Sequence, residues 1–366
     1  MCPAPKIPTG MQTEKPVPAE KQLPIFVTMI YHSMKGDTLS RALESLSSLN
    51  YPKERIFLCL IDNYSKDGAF DFCKNWLKKH GENYGGVLHI RAAGNPSRLR
   101  NIALKTAQEL KFKYLAFIDS DIIIDKDFLN RGLELISKEP SIVCVSTVWD
   151  VGYENLDFLE RLYAKYLKAR RANPKHRVSR GEACNTAACL INLETAKSVG
   201  YFDEDIRFIE DLDWGRRATR KGLTCLFDSR VIVKHLRRYS LREIRKYFFA
   251  GARSEAKLFL KNKIASSAVK SILYWDALLT SIFLSPLTYY PLLALLAGGF
   301  LAYSRRAVGI GRLTLYPLTL PFRLAKSLAL SIALIYWLIR GGYNSEKVTI
   351  TDQTDYEVVE FRKMAL

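Results

Sequence analysis

Apolar residues in the first third of the chain form two kinds of run. Short, nearly unbroken runs occupy 25–31, 55–62, 87–91 and 113–119. Between them, 38–49, 68–79 and 97–110 space their apolar residues three and four apart, as in Leu39, Ala42, Leu43, Leu46 and Leu49, which is helical periodicity. Strands alternating with helices of about 10–15 residues predict βαβ units and a largely parallel sheet. The unbroken strands agree, because a parallel sheet is covered on both faces. Downstream the pattern predicts a helix over 129–137, a strand over 142–148, a basic amphipathic helix over 156–171 and a strand over 187–193. A helix over 210–221 ends at Gly222, which suits a left-handed cap, and strands follow at 223–227 and 230–235. The division that results is a flexible leader (1–23), an α/β domain (24–235), a basic juxtamembrane region (236–270), membrane-embedded or interfacial helices (271–340) and a C-terminal tail (341–366).

Charge and composition sharpen that division. Among 366 residues, 55 Lys and Arg face 37 Asp and Glu, a net charge of +18. The hydrophobic fraction, 48%, and the charged fraction, 25%, are those of a globular protein and exclude wholesale disorder. Positions 277–304 carry no Asp, Glu, Lys or Arg, a run long enough to cross a hydrocarbon core. A second apolar segment, 315–339, is interrupted by Pro317, Pro321, Arg323 and Lys326. From Arg230 to Lys270, twelve Lys and Arg stand against two Glu, with Tyr239, Tyr247, Phe248, Phe249 and Phe259 interleaved. Such a basic collar beside an apolar run is attracted to an anionic leaflet and argues for a membrane rather than nucleic acid as the partner. A single span at 277–303 would carry Arg305, Arg306 and Arg312 to the far side, against the positive-inside tendency; Pro286 and Pro291 leave a bent, re-entrant pair open. The seven cysteines are scattered without a Cys-x-x-Cys and read as reduced core residues. Residues 1–21 lack the apolar segment of a signal peptide.

The candidate chemistry lies where strands end, the edge at which open α/β sheets bind ligands. Asp119-Ser120-Asp121 ends an apolar strand. Two carboxylates there can hold Mg²⁺ or Mn²⁺, which completes its shell with phosphate oxygens and water; a turn with two solvated acids has the same pattern. Asp62, in Asp62-Asn63-Tyr64-Ser65-Lys66-Asp67-Gly68, ends the second strand. It can accept from a base N–H or simply help to cap the next helix. Arg98, Arg100 and Asn101 open a helix, where cations can meet phosphates or remain solvated. Glu210, Asp211 and Asp213 crowd the first turn of another helix, more acid than capping needs, so Asp211 can serve as a general base. His235 ends the last strand as a possible third metal ligand or as an ordinary surface histidine.

In this order, Asp62-Asn-x-Ser-x-Asp-Gly, Arg100-Asn101, Asp119-Ser-Asp121, Phe202-Asp-Glu, Glu210-Asp211 and His235, the chain resembles glycosyltransferase family 2 from about residue 24 to 235. The loop after the first strand, Tyr31 to Gly36, departs from the family's Pro-x-Tyr-Asn type. The resemblance implies a GT-A fold and an inverting, metal-dependent enzyme that takes a nucleotide-diphospho-sugar as donor. It implies Asp211 as catalytic base with Glu210 supporting the acceptor pocket. Asp62, Arg98, Arg100, Asn101 and Asp119 would then bind the donor, and Asp119, Asp121 and His235 the Mn²⁺ or Mg²⁺ ion. The apolar C-terminal part points to a lipid-linked or polysaccharide acceptor, at a cell membrane whose cytoplasmic side the catalytic domain faces. A nucleotidyltransferase of related fold, a nucleic-acid binder and an inactive membrane scaffold are the competing classes.

Overall fold

The computed structural model describes residues 23–34, 37–151, 178–236 and 241–262, with parts of 157–161, 274–304, 328–339 and 350–362. Four parallel strands make the centre of one sheet: β1 (Ile25–Tyr31), β2 (Ile56–Asp62), β3 (Gly86–Arg91) and β4 (Tyr114–Asp119). They are joined by α1 (Thr38–Ser47), α2 (Ala69–His80) and α3 (Pro96–Glu109), as the alternating pattern predicts. After β4 come β5 (Ile122–Ile123), α4 (Phe128–Ile136), β6 (Ile142–Val151), β7 (Val178–Gly181), β8 (Ala188–Asn192), α5 (Leu193–Val199), α6 (Glu210–Arg220) and β9 (Thr224–His235). The chain continues into α7 (Leu241–Asn262) and α8 (Tyr290–Ser304) and ends in β10 (Glu357–Arg362). The sheet runs β10-β3-β2-β1-β4-β8-β6-β9-β5, with β7 beside β9.

Two apolar layers hold the sheet. Leu39, Leu43 and Leu46 of α1, Trp76 and Leu77 of α2 and Phe128 and Leu129 of α4 pack on one face. On the other lie Leu99, Ile102 and Ala103 of α3, Leu193 and Ala196 of α5 and Trp214 and Ala218 of α6. Full burial of one such aliphatic or aromatic side chain contributes about 1.5–3 kcal/mol, so these layers outweigh any single polar contact. The six described cysteines are buried and unlinked.

Several expectations change. The strands expected at 223–227 and 230–235 are one strand. The polar break between them is a bulge, where the β6 register passes from Thr147 opposite Asp228 to Val148 opposite Ile232. Arg230 fastens it with both Nε and Nη2 on the Asp228 carboxylate. Strands β5, β7 and β10 are too short or too polar to stand out by period. The tail expected beyond 341 supplies β10, antiparallel to β3. The helix expected over 156–171 lies almost wholly outside the described residues, as does the leader.

The membrane helices expected over 271–340 do not emerge as spans: no helix among the described residues is long and apolar enough to cross a membrane. The described part of α8, 15 residues, reaches roughly 22 Å at 1.5 Å per residue, against a hydrocarbon core of about 30 Å; the apolar positions from 315 to 327 lie outside the described residues.

Candidate active site

Parallel pairing lines up the carboxyl ends of the central strands. Tyr31 pairs with Asp62, Asp62 with Arg91 and Ile30 with Asp119. Asp62 and Asp119 therefore sit two strands apart on one edge, about 10 Å at the usual strand spacing. The chain then turns at Ser120 and Asp121 into β5, where Ile122 pairs with His235 at the end of β9. That short antiparallel pairing brings two residues far apart in sequence together: His235 Nε2 lies 3.7 Å from Asp121 Oδ1.

The first turn of α6 closes the site from the other side. Arg100, on the buried face of α3, reaches between the clusters: one Nη donates to Asp119 Oδ1 at 3.4 Å and the other to the Glu210 carboxylate. Its side chain is only 8% exposed. Burial alone would disfavour its charge, but Glu210, Asp119 and Asp211 outweigh burial and hold the guanidinium pKa above its ordinary value. Burial raises the pKa of Asp119, against Arg100 and with Asp121 adding to the rise. Asp211 is likewise raised by burial, opposed by Arg100 and reinforced by Asp119. Glu210 shifts the same way for the same reason. One guanidinium thus faces Asp119, Glu210 and Asp211, with Asp121 beside them, and negative charge is in excess.

Backbone strain marks the same turn. Ile209, immediately before Glu210 and Asp211, has φ +59°, a left-handed conformation that a β-branched side chain rarely adopts. Such strain costs about 1–3 kcal/mol and persists only where surrounding structure imposes it. Part of that imposition is the 182–185 loop, whose Cys184 amide donates to the Asp211 carbonyl at 3.1 Å. The helix reaches this loop because residue 215 is glycine: a Cβ there would lie 2.6 Å from the Glu182 carbonyl oxygen and 2.7 Å from the Ala183 Cα. Gly215→Ala is expected to cost about 1–3 kcal/mol, the range for overpacking, and to lower activity by displacing the Asp211 turn; thermal unfolding and donor turnover measure the two effects.

The remaining candidates are placed differently. Asp62 is fully buried, and its carboxylate accepts from the Ser65 amide and hydroxyl and from Arg91 Nε. Arg91 lies between the rings of Tyr64 and Phe70, 4.9 and 4.3 Å from their centroids. It was missed in the sequence, although a cation ending β3 in line with Asp62 was a legible signal. Asn101 Oδ1 accepts from Phe202 N at 2.8 Å, and its Nδ2 donates to Phe202 O and Glu204 Oε1; its bonds latch the loop before α6. Arg98 donates to Ala93 O and to Asp355 near the C-terminus. Asp62, Arg91, Asp119, Asp121, His235, Arg100, Glu210 and Asp211 thus line the carboxyl edge, whereas Arg98 and Asn101 tie neighbouring segments together.

Among the described residues no three His, Cys, Asp or Glu side chains close on a point that could hold an ion unaided. Asp119 gives an oxygen to Arg100 instead. Asp121 and His235, beside an excess of carboxylate, remain a fitting partial donor set for a divalent cation that draws other ligands from phosphate and water.

Residues 26–192 match the family model described as Glycosyl transferase family 2. Glycosyltransferase AglE of Haloferax volcanii is 21% identical over 253 residues, 69% of this chain and 80% of that protein. A Glycosyltransferase 25 family member of Anopheles gambiae is 25% identical over 154 residues, which span 37% of this chain and 26% of that protein. Among solved structures, the mannosyltransferase PcManGT from Pyrobaculum calidifontis, in complex with GDP-Man and Mn²⁺, superposes with a TM-score of 0.54 at 17% identity. That match covers 89% of this chain and 91% of that one. At such identity the likeness is one of fold, an α/β architecture of GT-A type.

Proposed function

Residues 26–192 of this chain are a family 2 glycosyltransferase domain, and from that premise we propose that the enzyme moves a sugar, with inversion, from a nucleotide-diphospho-sugar to a hydroxyl or phosphate of a lipid-linked or polysaccharide acceptor. The observation that carries this reading is that Arg100 pairs with both Asp119 and Glu210, with Asp211 next to Glu210 in the first turn of α6 and Asp121 paired with His235 beside them. The acceptor O–H gives its proton to Asp211 as its oxygen attacks the anomeric carbon from the side opposite the diphosphate. The bond to the diphosphate oxygen breaks as the new C–O bond forms, and no covalent enzyme intermediate is needed. The raised pKa of Asp211 makes it a stronger base than a solvated carboxylate. Glu210, held by Arg100, supports the acceptor side, while buried Asp62 holds Arg91, which offers a cation toward the nucleoside. Mn²⁺ or Mg²⁺, held by Asp121 and His235, would counter the charge of the departing diphosphate.

A membrane acceptor is supported by apolar side chains left in the open between α7 and β10, among them Phe283 (84% exposed), Leu287 (85%) and Ile339 (80%), next to the basic α7. On this reading the protein sits at the cell membrane with the domain on the cytoplasmic side, where nucleotide-sugars are made.

The test is a thermal-shift screen of UDP-, GDP- and dTDP-sugars, GDP-Man included, with and without Mn²⁺. One donor class is expected to stabilise the full chain, and more so with Mn²⁺; a flat screen overturns the reading. Asp121→Ala is expected to abolish the Mn²⁺-dependent part of that shift and to lower turnover at least about 100-fold, the scale for losing one preorganised charge-stabilising contact. Turnover equal to wild type would remove Asp121 from the site.

A further inference from the structure

Helix α7 lies beyond the matched family domain, yet it reaches back to the segment that immediately precedes the proposed base. Ser254 is buried, and its Oγ accepts from the Phe208 amide at 3.3 Å. Three residues on, along the same face, Lys257 Nζ donates to the Asp205 carbonyl at 3.0 Å. The two side chains therefore fasten 205–208 at both ends. The next residue is the strained Ile209, and Glu210 and Asp211 follow. From the other side, the segment is held by Ser97 Oγ, which donates to the Ile206 carbonyl at 2.8 Å, and within the loop the Ile206 amide donates to the Asp203 carbonyl at 3.1 Å.

On its opposite side α7 meets the apolar C-terminal segment. Ala252 and Ala256 pack with Ala329, Leu330 and Ala333, and Arg253 lies over the Tyr336 ring at 5.4 Å. One helix is thus wedged between the segment that leads to the base and the surface with exposed apolar groups.

Resting on the reading of Asp211 as the base, we propose that Ser254 and Lys257 are positioning residues for transfer. Held by α7, the 205–208 segment keeps Ile209 left-handed, and Ile209 in turn fixes the first turn of α6 and the direction of the Asp211 carboxylate. Neither side chain touches substrate. Their effect falls on the base rather than on Asp119, Arg100 or Asp62, so donor binding is independent of them. A displacement of about 1 Å in a reacting group can cost up to about 100-fold in rate, and the effect of removing either anchor lies within that range.

The experiment compares full-length wild type, Ser254→Ala, Ser254→Thr, Lys257→Met and Asp211→Asn. The first readout is amide hydrogen exchange, which needs no substrate. Ser254→Ala and Lys257→Met are expected to speed exchange over 206–213 about tenfold or more while β1, β2 and β4 exchange as in wild type. The second is Mn²⁺-supported hydrolysis, with water as acceptor, of whichever UDP-, GDP- or dTDP-sugar stabilises the wild type most. There Ser254→Ala lowers kcat about tenfold or more at unchanged KM, and Ser254→Thr, which keeps the hydroxyl, restores it. Unchanged exchange over 206–213 in both anchor variants overturns the proposal, as does wild-type kcat in Ser254→Ala accompanied only by a lower unfolding temperature. If Ser254→Ala does not fold, Lys257→Met decides by the same two readouts. Wild-type kcat in Asp211→Asn instead sinks the assignment of the base and leaves the exchange result standing.

Discussion

Asp211→Asn lowers kcat for transfer by about 10²–10⁴-fold, the usual contribution of a positioned general base, and leaves donor affinity as it was. The substitution keeps the size of the side chain and an oxygen that can accept from the Leu212 amide, as Asp211 Oδ1 does at 2.8 Å, so the first turn of α6 has no reason to open. What disappears is proton affinity. Because burial holds the Asp211 pKa above the ordinary carboxylate value, wild-type kcat falls as pH drops through that raised value. In Asp211→Asn this acid limb is absent from the residual rate. Steady-state kinetics across pH, with donor binding followed by calorimetry, read both effects. A variant with full kcat, or one that loses donor affinity in step with rate, contradicts the role.

Arg100→Ala is expected to be the most damaging change in stability. Removing the cation leaves Glu210 and Asp119 without their partner at a site where burial already disfavours their charge. Breaking a buried pair in this way costs about 3–5 kcal/mol, a fall of roughly 10 °C in the unfolding midpoint for a domain of this size. The pH dependence has a definite sign. Carboxyl groups whose folded pKa is raised favour the fold when protonated, and that contribution is lost as pH rises through the folded value. The Arg100→Ala deficit is therefore largest at neutral pH and shrinks under mildly acid conditions. Donor affinity falls as well, because Asp119 is no longer held. Thermal unfolding at several pH values measures this; a deficit that grows on acidification would show that the guanidinium does not neutralise these carboxyls.

How much of this was legible in the sequence follows from the range of each signal. Strands β1 to β4 and helices α1 to α3 were readable because period and burial coincide: every residue of β2 is buried, and an unbroken apolar run is what such a strand requires. Asp62, Asp119 and Asp211 were readable as acids at element ends. Arg100 was readable as a cation but not as the hub, since its reach to Glu210 depends on how α3 and α6 pack across the sheet. The two-residue β5 has no period at all, yet it joins Asp121 to His235. Arg98 and Asn101 carry the same local pattern whether they face a ligand or a neighbouring loop; only the Phe202, Glu204 and Asp355 contacts distinguish the two. The apolar stretch at 277–304 was readable as hydrophobic but not as a helix of spanning length, because composition reports hydrophobicity alone, and no helix among the described residues is long and apolar enough to cross a membrane.

The last strand has a consequence for how the polypeptide is threaded. Since β10 is hydrogen-bonded beside β3, positions 236 and 357 are fixed to one rigid body, and everything between them is a round trip. A round trip intersects a plane an even number of times. If the proposed membrane contact holds, whatever part of that excursion enters a lipid layer comes back out on the side it came from, so a shallow re-entrant path is compatible with the threading and a lone crossing at 277–303 is not.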